Sequence, residues 1–448
     1  MKSWHSFSCL PLALLVLMLG CGAAPNVIAP VIPPAIPPKG DGTLAQIKHV
    51  VIMLQENRSF DNYFGNLNTY RVAQGLDAAV DGLPADASNP DFAGTGIVLP
   101  YHLLTMCTEN SSPSWNESHV NWNRWAPTSD TPLMNGFVRT AGKYATDEGL
   151  HDTAGLRAMG YYDSTDIPYY YFLATQFATS DRWFSPVSAN SPANHFYLFS
   201  ATSAGHIYTP TATMSTKTIF ESLEAKGISW KIYETDPGVT FLNYYQPFGG
   251  AHKANIAPLS QFATDVAADS LPSVAIIEAG LETGDDEHPG SNIQSGASDV
   301  SAIINALMAS NSWKSSIFFL TWDEGGGLYD HVPFQPAVNP DGIAATDLAT
   351  TDICYGKPCA DFTRTGSRLP LIVVSPFVKP HYVSHSVADY SAFLKFIETR
   401  FDLPALTNRD AAQPDLTEFL DLVNIPNLTP PSPPTQPTTG PCYYQRLP

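Results

Sequence analysis

Two pairs of oxygen-bearing side chains are placed where they could do chemistry. Glu56 and Asn57 follow the apolar run "HVVIML" at 49–54, and Asp323 and Glu324 follow "SSIFFLTW" at 315–322. Carboxylates and an amide carbonyl brought to one edge of a sheet make a donor set for a hard divalent cation. Either pair alone reads equally well as a solvated turn at a strand end. Two pairs, each mounted on a buried run, favour a shared metal site. Glycines 325–327 follow at once, and glycine lets a backbone turn tightly against a ligand or metal. Arg58 is either a substrate clamp or the partner of Asp61, since paired charge is the common fate of a partly buried arginine.

The elements that must position these groups are legible as periodicity. Besides 49–54 and 315–327, apolar runs occupy 229–235, 273–280 and 368–378. Runs without alternation are buried on both faces, as in a parallel sheet. Between them lie amphipathic helices: Val300, Ile303, Ile304, Leu307 and Met308 share one face, and Tyr390, Phe393, Leu394, Ile397 and Phe401 share another. Strand–helix alternation predicts an α/β layered fold, and such folds carry their chemistry just beyond the carboxyl ends of the strands. The aromatic-rich stretch 161–184 reads as core more readily than as a wall of the site.

Charge narrows the function. The 448 residues carry 23 Lys and Arg against 42 Asp and Glu, a formal charge of −19. No nucleic-acid partner is expected, because that needs clustered positive charge. An anionic substrate would need a local cation such as a metal. After the N-terminus no segment reaches the roughly 18 apolar residues of a membrane-spanning helix.

The first 24 residues read as a signal peptide, with "LMLGC" resembling a lipoprotein box that would lipidate Cys21 as a membrane tether. Ordinary cleavage after Ala24 is the alternative. Residues 25–42 are a proline-rich linker, 43–425 one domain, and 426–448 a Pro/Thr-rich tail. The mature protein is expected outside the cytoplasm: periplasmic, on the cell surface or secreted. Four cysteines remain in an exported chain, which suggests two disulfides. Cys354 and Cys359 enclose the turn-like "YGKP", which favours Cys354–Cys359 and Cys107–Cys442; a zinc cluster is the competing reading, against which the spacings argue.

Together, "IKHVVIMLQENRSFDNYFG", "SPANHFYLFSATSAG", "DEHPG" and "TWDEGGGLYDHVPF" resemble the phosphoesterase family of bacterial acid phosphatases and phospholipases C, from about Ile47 to Phe401. The resemblance implies an alkaline-phosphatase-like three-layer α/β sandwich with a central, mostly parallel sheet. It implies one divalent metal ion of unspecified identity, held by Glu56, Asn57, Asp323 and Glu324. It also implies hydrolysis of a phosphate ester, phospholipid or small monoester, through a phosphoseryl intermediate. In "SANSPANHFY" it places the nucleophile at Ser191, with Ser185 and Ser188 as competitors and Asn194 either donating to a phosphoryl oxygen or holding the loop. His119 and His288 match histidines that bind phosphoryl oxygens or protonate the leaving group. His119 could instead only pack beside Trp122 and Trp125, and His288 could be a solvated turn residue. His195 reads as packing and His331 as orienting the glycine loop. Where relatives have a further histidine, this chain has Gly325. Sulfatase-like hydrolysis lacks its "CxPxR" motif. An exported lipoprotein that uses the fold only as a binding scaffold is the non-enzymatic alternative.

Overall fold

The computed structural model describes residues 37–280 and 283–447. The expected signal peptide, Cys21 and most of the linker lie outside the described residues.

The chain folds around one eight-stranded sheet. Its strands are β1 (His49–Gln55), β2 (Ala178–Ser180), β3 (Trp230–Glu234), β4 (Ile256–Pro258), β5 (Val274–Glu278), β6 (Ser316–Trp322), β7 (Leu371–Val374) and β8 (Tyr382–Ser384). The order across the sheet is β8-β2-β7-β6-β1-β5-β3-β4. Central β1 pairs in parallel with β5 and β6, which is why its residues Val50 to Leu54 are buried without alternation. The expected mostly parallel sheet is present. One strand departs from it: β7 runs antiparallel to both β6 and β2. A buried antiparallel strand carries the same unbroken apolar run, so composition could not reveal its direction.

Five helices matter for the site: α1 (Phe60–Phe64), α2 (Trp115–Trp122), α3 (Ser191–Ser200), α4 (Ile293–Met308) and α5 (Ser391–Phe401). The apolar faces read from sequence in α4 and α5 are buried, apart from the half-buried Phe401. Tyr169, Tyr170, Tyr171 and Trp183 are buried, so the aromatic stretch is largely core.

Two disulfides are present, Cys107–Cys442 and Cys354–Cys359. The first holds the C-terminal segment, where the Met106 N–H also donates to the Pro441 carbonyl at 2.7 Å. Residues 38–42, the end of the expected linker, hydrogen-bond to 422–425 through Gly40 to Val423, Gly42 to Leu422 and Ile425 to Pro38. Among the described residues no helix is long and apolar enough to cross a membrane.

Candidate active site

Register puts the two acid pairs together. Gln55 at the end of β1 lies opposite Trp322 at the end of β6, so Glu56–Asn57 and Asp323–Glu324 leave the sheet side by side. The junction is fixed by backbone: the Asp323 N–H donates to the Gln55 carbonyl at 2.9 Å, and the Glu56 N–H to the Asp286 carbonyl at 2.8 Å. Asn57 adopts a left-handed conformation, φ 62°, and its N–H donates to Asp323 Oδ1 at 2.8 Å. Gly326 packs on that turn. It has φ +62°, and a Cβ there would lie 2.5 Å from the Asn57 carbonyl oxygen, so only glycine fits. The Gly326 N–H donates to Glu324 Oε2 at 2.6 Å.

Several atoms of this cluster are left without partners. Asn57 Oδ1, Asp323 Oδ2 and Glu324 Oε1 are buried and accept no hydrogen bond. Leaving buried acceptors unpaired costs free energy, so such atoms in a native site call for a missing partner. Burial, followed by the charge of Glu56, holds the Asp323 carboxyl well above the usual range; burial and then Asp323 do the same to Glu324. Burial raises Glu56 to about 7, with Asp286 adding to it against hydrogen bonds from Asp323 and Ser191. Like charges crowded together with unclaimed lone pairs are the conditions a divalent cation relieves. Glu56, Asp323 and His195 each offer a ligand atom within 4.8 Å of the others, so the cluster could hold a metal ion.

Ser191 opens α3 with Asn190 as N-cap and Pro192 in the first turn, where a missing N–H costs no helical bond. Its Oγ donates to Glu56 Oε2 at 3.0 Å. Of the competing serines, Ser188 donates to the Thr365 carbonyl at 3.1 Å, and Ser185 is buried with no bond to Glu56. A helix N-terminus also favours an anion beside Ser191. The Glu56 side chain keeps 14% exposure, which leaves the carboxylate edge reachable from solvent.

Three side chains depart from expectation. Asn194 is buried, its amide nitrogen donating to the Ala189 carbonyl at 2.8 Å and the Asn190 carbonyl at 3.3 Å while its oxygen accepts from the Val187 N–H at 3.2 Å. With every polar atom committed, it holds the 187–190 loop and has no proton left for a phosphoryl oxygen. Arg58 does not pair with Asp61. It donates to the Glu287 carbonyl through Nε at 3.1 Å and Nη2 at 2.5 Å, and lies over the Tyr63 ring. Arg58 therefore braces the 286–288 loop from behind.

The third is His195, read as packing. It stacks on Phe241 at 3.8 Å, but its Nε2 also lies 3.3 Å from Glu56 Oε1. Its place in the cluster follows from helical geometry: one position after Asn194, it turns back toward the strand ends. The sequence signal for it is its spacing of four residues from Ser191.

His119 and His288 are both held as neutral rings. His119 Nδ1 lies 2.8 Å from the Trp115 carbonyl, which can only accept, so Nδ1 carries the proton. Its ring sits on Trp115 at 4.4 Å rather than beside Trp125, which is exposed. Burial first, and Arg364 second, lower it to about 4. His288 Nδ1 is 3.0 Å from the Pro289 carbonyl, and burial lowers it too, against the raising effect of the Asp323 charge. His331 bonds to Asp61 and Asp81, away from the carboxylate edge, in keeping with an orienting role.

The chain is similar to known proteins along most of its length. The model of the Phosphoesterase family matches residues 47–404. The chain is 28% identical to phospholipase C A of Mycobacterium tuberculosis over 437 residues, covering 87% of this chain and 80% of that protein. It is 29% identical to non-specific phospholipase C1 of Arabidopsis thaliana over 393 residues, covering 82% and 69%. A crystal structure of a protein in the alkaline phosphatase superfamily from Vibrio parahaemolyticus is 11% identical with a TM-score of 0.39, covering 86% of this chain and 75% of that one, too distant to carry weight.

Proposed function

The chain belongs to the phosphoesterase family and is a hydrolase acting on phosphoric ester bonds; from that premise we propose a metal-dependent enzyme of the phospholipase C type, working through a phosphoseryl intermediate on Ser191. One observation carries this reading: Ser191 Oγ donates to Glu56 within a cluster whose buried oxygens are unclaimed. Glu56, Asn57, Asp323 and Glu324 would hold the ion, with His195 Nε2 at its edge. When bound, the ion would neutralise charge on the phosphoryl group and lower the pKa of a nearby oxygen.

Ser191 Oγ attacks phosphorus, its proton passing to Glu56, and the ester oxygen of the alcohol leaves. Both histidines carry their proton on Nδ1, committed to a carbonyl, so the departing alcohol takes its proton from solvent. The second nitrogen of each ring is free to accept a hydrogen bond from substrate. Water then attacks the phosphoserine phosphorus, releasing the phosphate-bearing product, and Glu56 returns its proton to the Ser191 oxygen as that bond breaks. The phospholipase C names of the relatives support a phospholipid substrate. The two disulfides support export, since such bonds persist in oxidising compartments.

The test is hydrolysis of p-nitrophenyl phosphate and of a phospholipid by the purified protein, with and without chelator. Activity abolished by chelator and restored by one divalent ion is expected; full activity in protein free of metal overturns the metal. Intact mass of the mature protein tests export: a chain retaining Met1 overturns it.

A further inference from the structure

The loop 123–135, which follows α2, is turned outward although it is firmly held. Trp122 Nε1 donates to the Ser129 carbonyl at 2.8 Å, and the Leu133 N–H returns to the Trp122 carbonyl at 2.8 Å. Asn123 closes the loop from within. Its Oδ1 accepts from the Trp125 and Ala126 N–H groups at 3.1 and 3.0 Å, and its Nδ2 donates to the Thr131 carbonyl at 3.0 Å. This braced loop nevertheless leaves Trp125 62% and Leu133 50% exposed. The Trp125 ring rests on the Arg124 guanidinium at 4.5 Å and on the turn at Gly94, where a Cβ would lie 2.8 Å from it. That turn runs on into Ile97 and Leu99, both also exposed. Lone exposed apolar side chains are ordinary, but a group of them held on fixed backbone marks a contact surface.

Position and charge say what that surface meets. Thr128 and Asp130 of the same loop, with Trp122, line a cavity of about 300 Å³ that His119 and Ser188 also line. The chain runs from Ser188 through Asn190 directly into Ser191, so the exposed side chains border the approach to the nucleophile. The groove that Trp125 itself lines carries Arg124, Arg139 and Lys143 against Glu117, and Asp91 and Asp147 stand beside Arg124 and Lys143. Three cations meet three acids, so no charge is left over here to draw an ionic partner. An apolar, locally neutral surface that presents a tryptophan matches the interface of a zwitterionic bilayer, where an amphipathic indole sits at head-group level.

We propose that Trp125 and Leu133, with Ile97 and Leu99 on the adjoining turn, dock this protein on a neutral lipid bilayer and set the cavity against the head groups. The inference rests on the proposed phospholipid substrate. Both that ester and the diacylglycerol it would release stay in the bilayer, so the enzyme must reach them from the surface.

The experiment is cosedimentation of the metal-loaded enzyme with phosphatidylcholine vesicles. The wild type should bind, and raised salt should not release it, because no charge pair carries the contact. Trp125→Ala or Leu133→Ser should weaken binding about tenfold, the scale of one large apolar side chain. Val423→Ser removes an exposed apolar side chain from the segment bonded to residues 38–42 and should bind as the wild type does. No binding by the wild type, release by salt, or losses no larger in the loop variants than in Val423→Ser overturns the proposal. Dimerisation of the lipid-free protein that the loop variants lose would assign the patch to a second copy and overturn it too. Turnover supplies a second arm. On vesicles, kcat/KM should fall in step with binding in the loop variants, while hydrolysis of monomeric dibutyrylphosphatidylcholine stays unchanged. Equal loss on both substrates overturns the docking role. If the wild type hydrolyses neither, the hydrolytic reading falls, while cosedimentation still decides the surface.

Discussion

Glu56, Asp323 and His195 form one buried group of acids and imidazole, and Asp61, Asp330 and His331 form another. Their acids arise from the same two segments, since "ENRSFD" supplies Glu56 and Asp61 and "DEGGGLYDH" supplies Asp323, Asp330 and His331, while His195 comes from α3. By residue type each could hold a metal. Their surroundings differ. Arg368 bonds Asp61 at 2.8 Å and Asp330 at 3.0 Å, and His331 bonds Asp61 at 2.7 Å. Backbone N–H groups of Asp61, His331 and Val332 fill further carboxylate positions. Among the described residues no arginine or lysine pairs with Glu56, and three buried oxygens stay unclaimed. What separates a site from a girder here is the count of unused lone pairs, not the count of acids.

The largest expected effect falls on the unpaired cluster. Ser191→Ala should lower phosphate ester hydrolysis by about 10³-fold or more, as deletion of a covalent nucleophile does, with fold and metal content unchanged. Acid-quenched enzyme should carry phosphate on Ser191. Label on Ser185 or Ser188 would move the nucleophile, and near-normal turnover without label would leave water as the attacking group.

The paired cluster should respond in stability instead. Arg368→Gln strands Asp61 and Asp330 as buried, uncompensated charges, a loss of about 3–5 kcal/mol in chemical denaturation. Asp323→Asn should do the reverse, abolishing metal binding and turnover while leaving the metal-free protein as stable as before, because burial and the Glu56 charge already hold the Asp323 carboxyl well above the usual range and a neutral amide replaces it. If Asp323→Asn destabilises the metal-free protein as much as Arg368→Gln does, the two clusters are not different in kind.

How much of this was readable in advance follows from what each signal depends on. The strands bearing Glu56 and Asp323 were visible because burial on both faces leaves an unbroken apolar run. Their adjacency is not written in either run and comes from the Gln55–Trp322 register. Local sequence offers Asp61, three positions on, as one partner for Arg58, whereas the partner of Asp61 is Arg368, 307 residues away. Asn194 takes the second of its two readings, holding the loop, and His195, which reads as packing, also reaches Glu56. On adjacent helical positions, one turns into its own loop and the other toward Glu56, and sequence does not record which way each face points.

Metal addition is a smaller effect and a direct measure of the unclaimed oxygens. A divalent ion at about 100 times its dissociation constant should stabilise the fold by about 2.7 kcal/mol, read as a rise in Tm that chelator reverses. The rise should shrink as pH falls through about 7. Burial raises Glu56 to that value, so below it a proton competes with the ion for the same carboxylate. Proton release on metal binding near neutral pH checks this independently. A Tm indifferent to every divalent ion would place the first cluster with the second.

The smallest effect tests the paired cluster by pH and should have the opposite sign. Burial pulls the His331 imidazole down, but the Asp61 hydrogen bond and the charges of Asp61 and Asp330 outweigh it and leave the pKa raised, against opposition from Arg368. A raised imidazole holds its proton more tightly folded than unfolded. Its stabilising contribution is complete below the unfolded value of about 6.5 and is lost as pH climbs through the folded one. Metal affinity at Glu56 should therefore grow with rising pH while the contribution of His331 declines. The measurement is the difference in unfolding free energy between wild type and His331→Asn, in chelator, from about pH 6 to pH 9. That difference should shrink toward high pH. If it stays constant, His331 is neutral throughout, and the Asp61–Arg368–Asp330 network balances its charge without the imidazole.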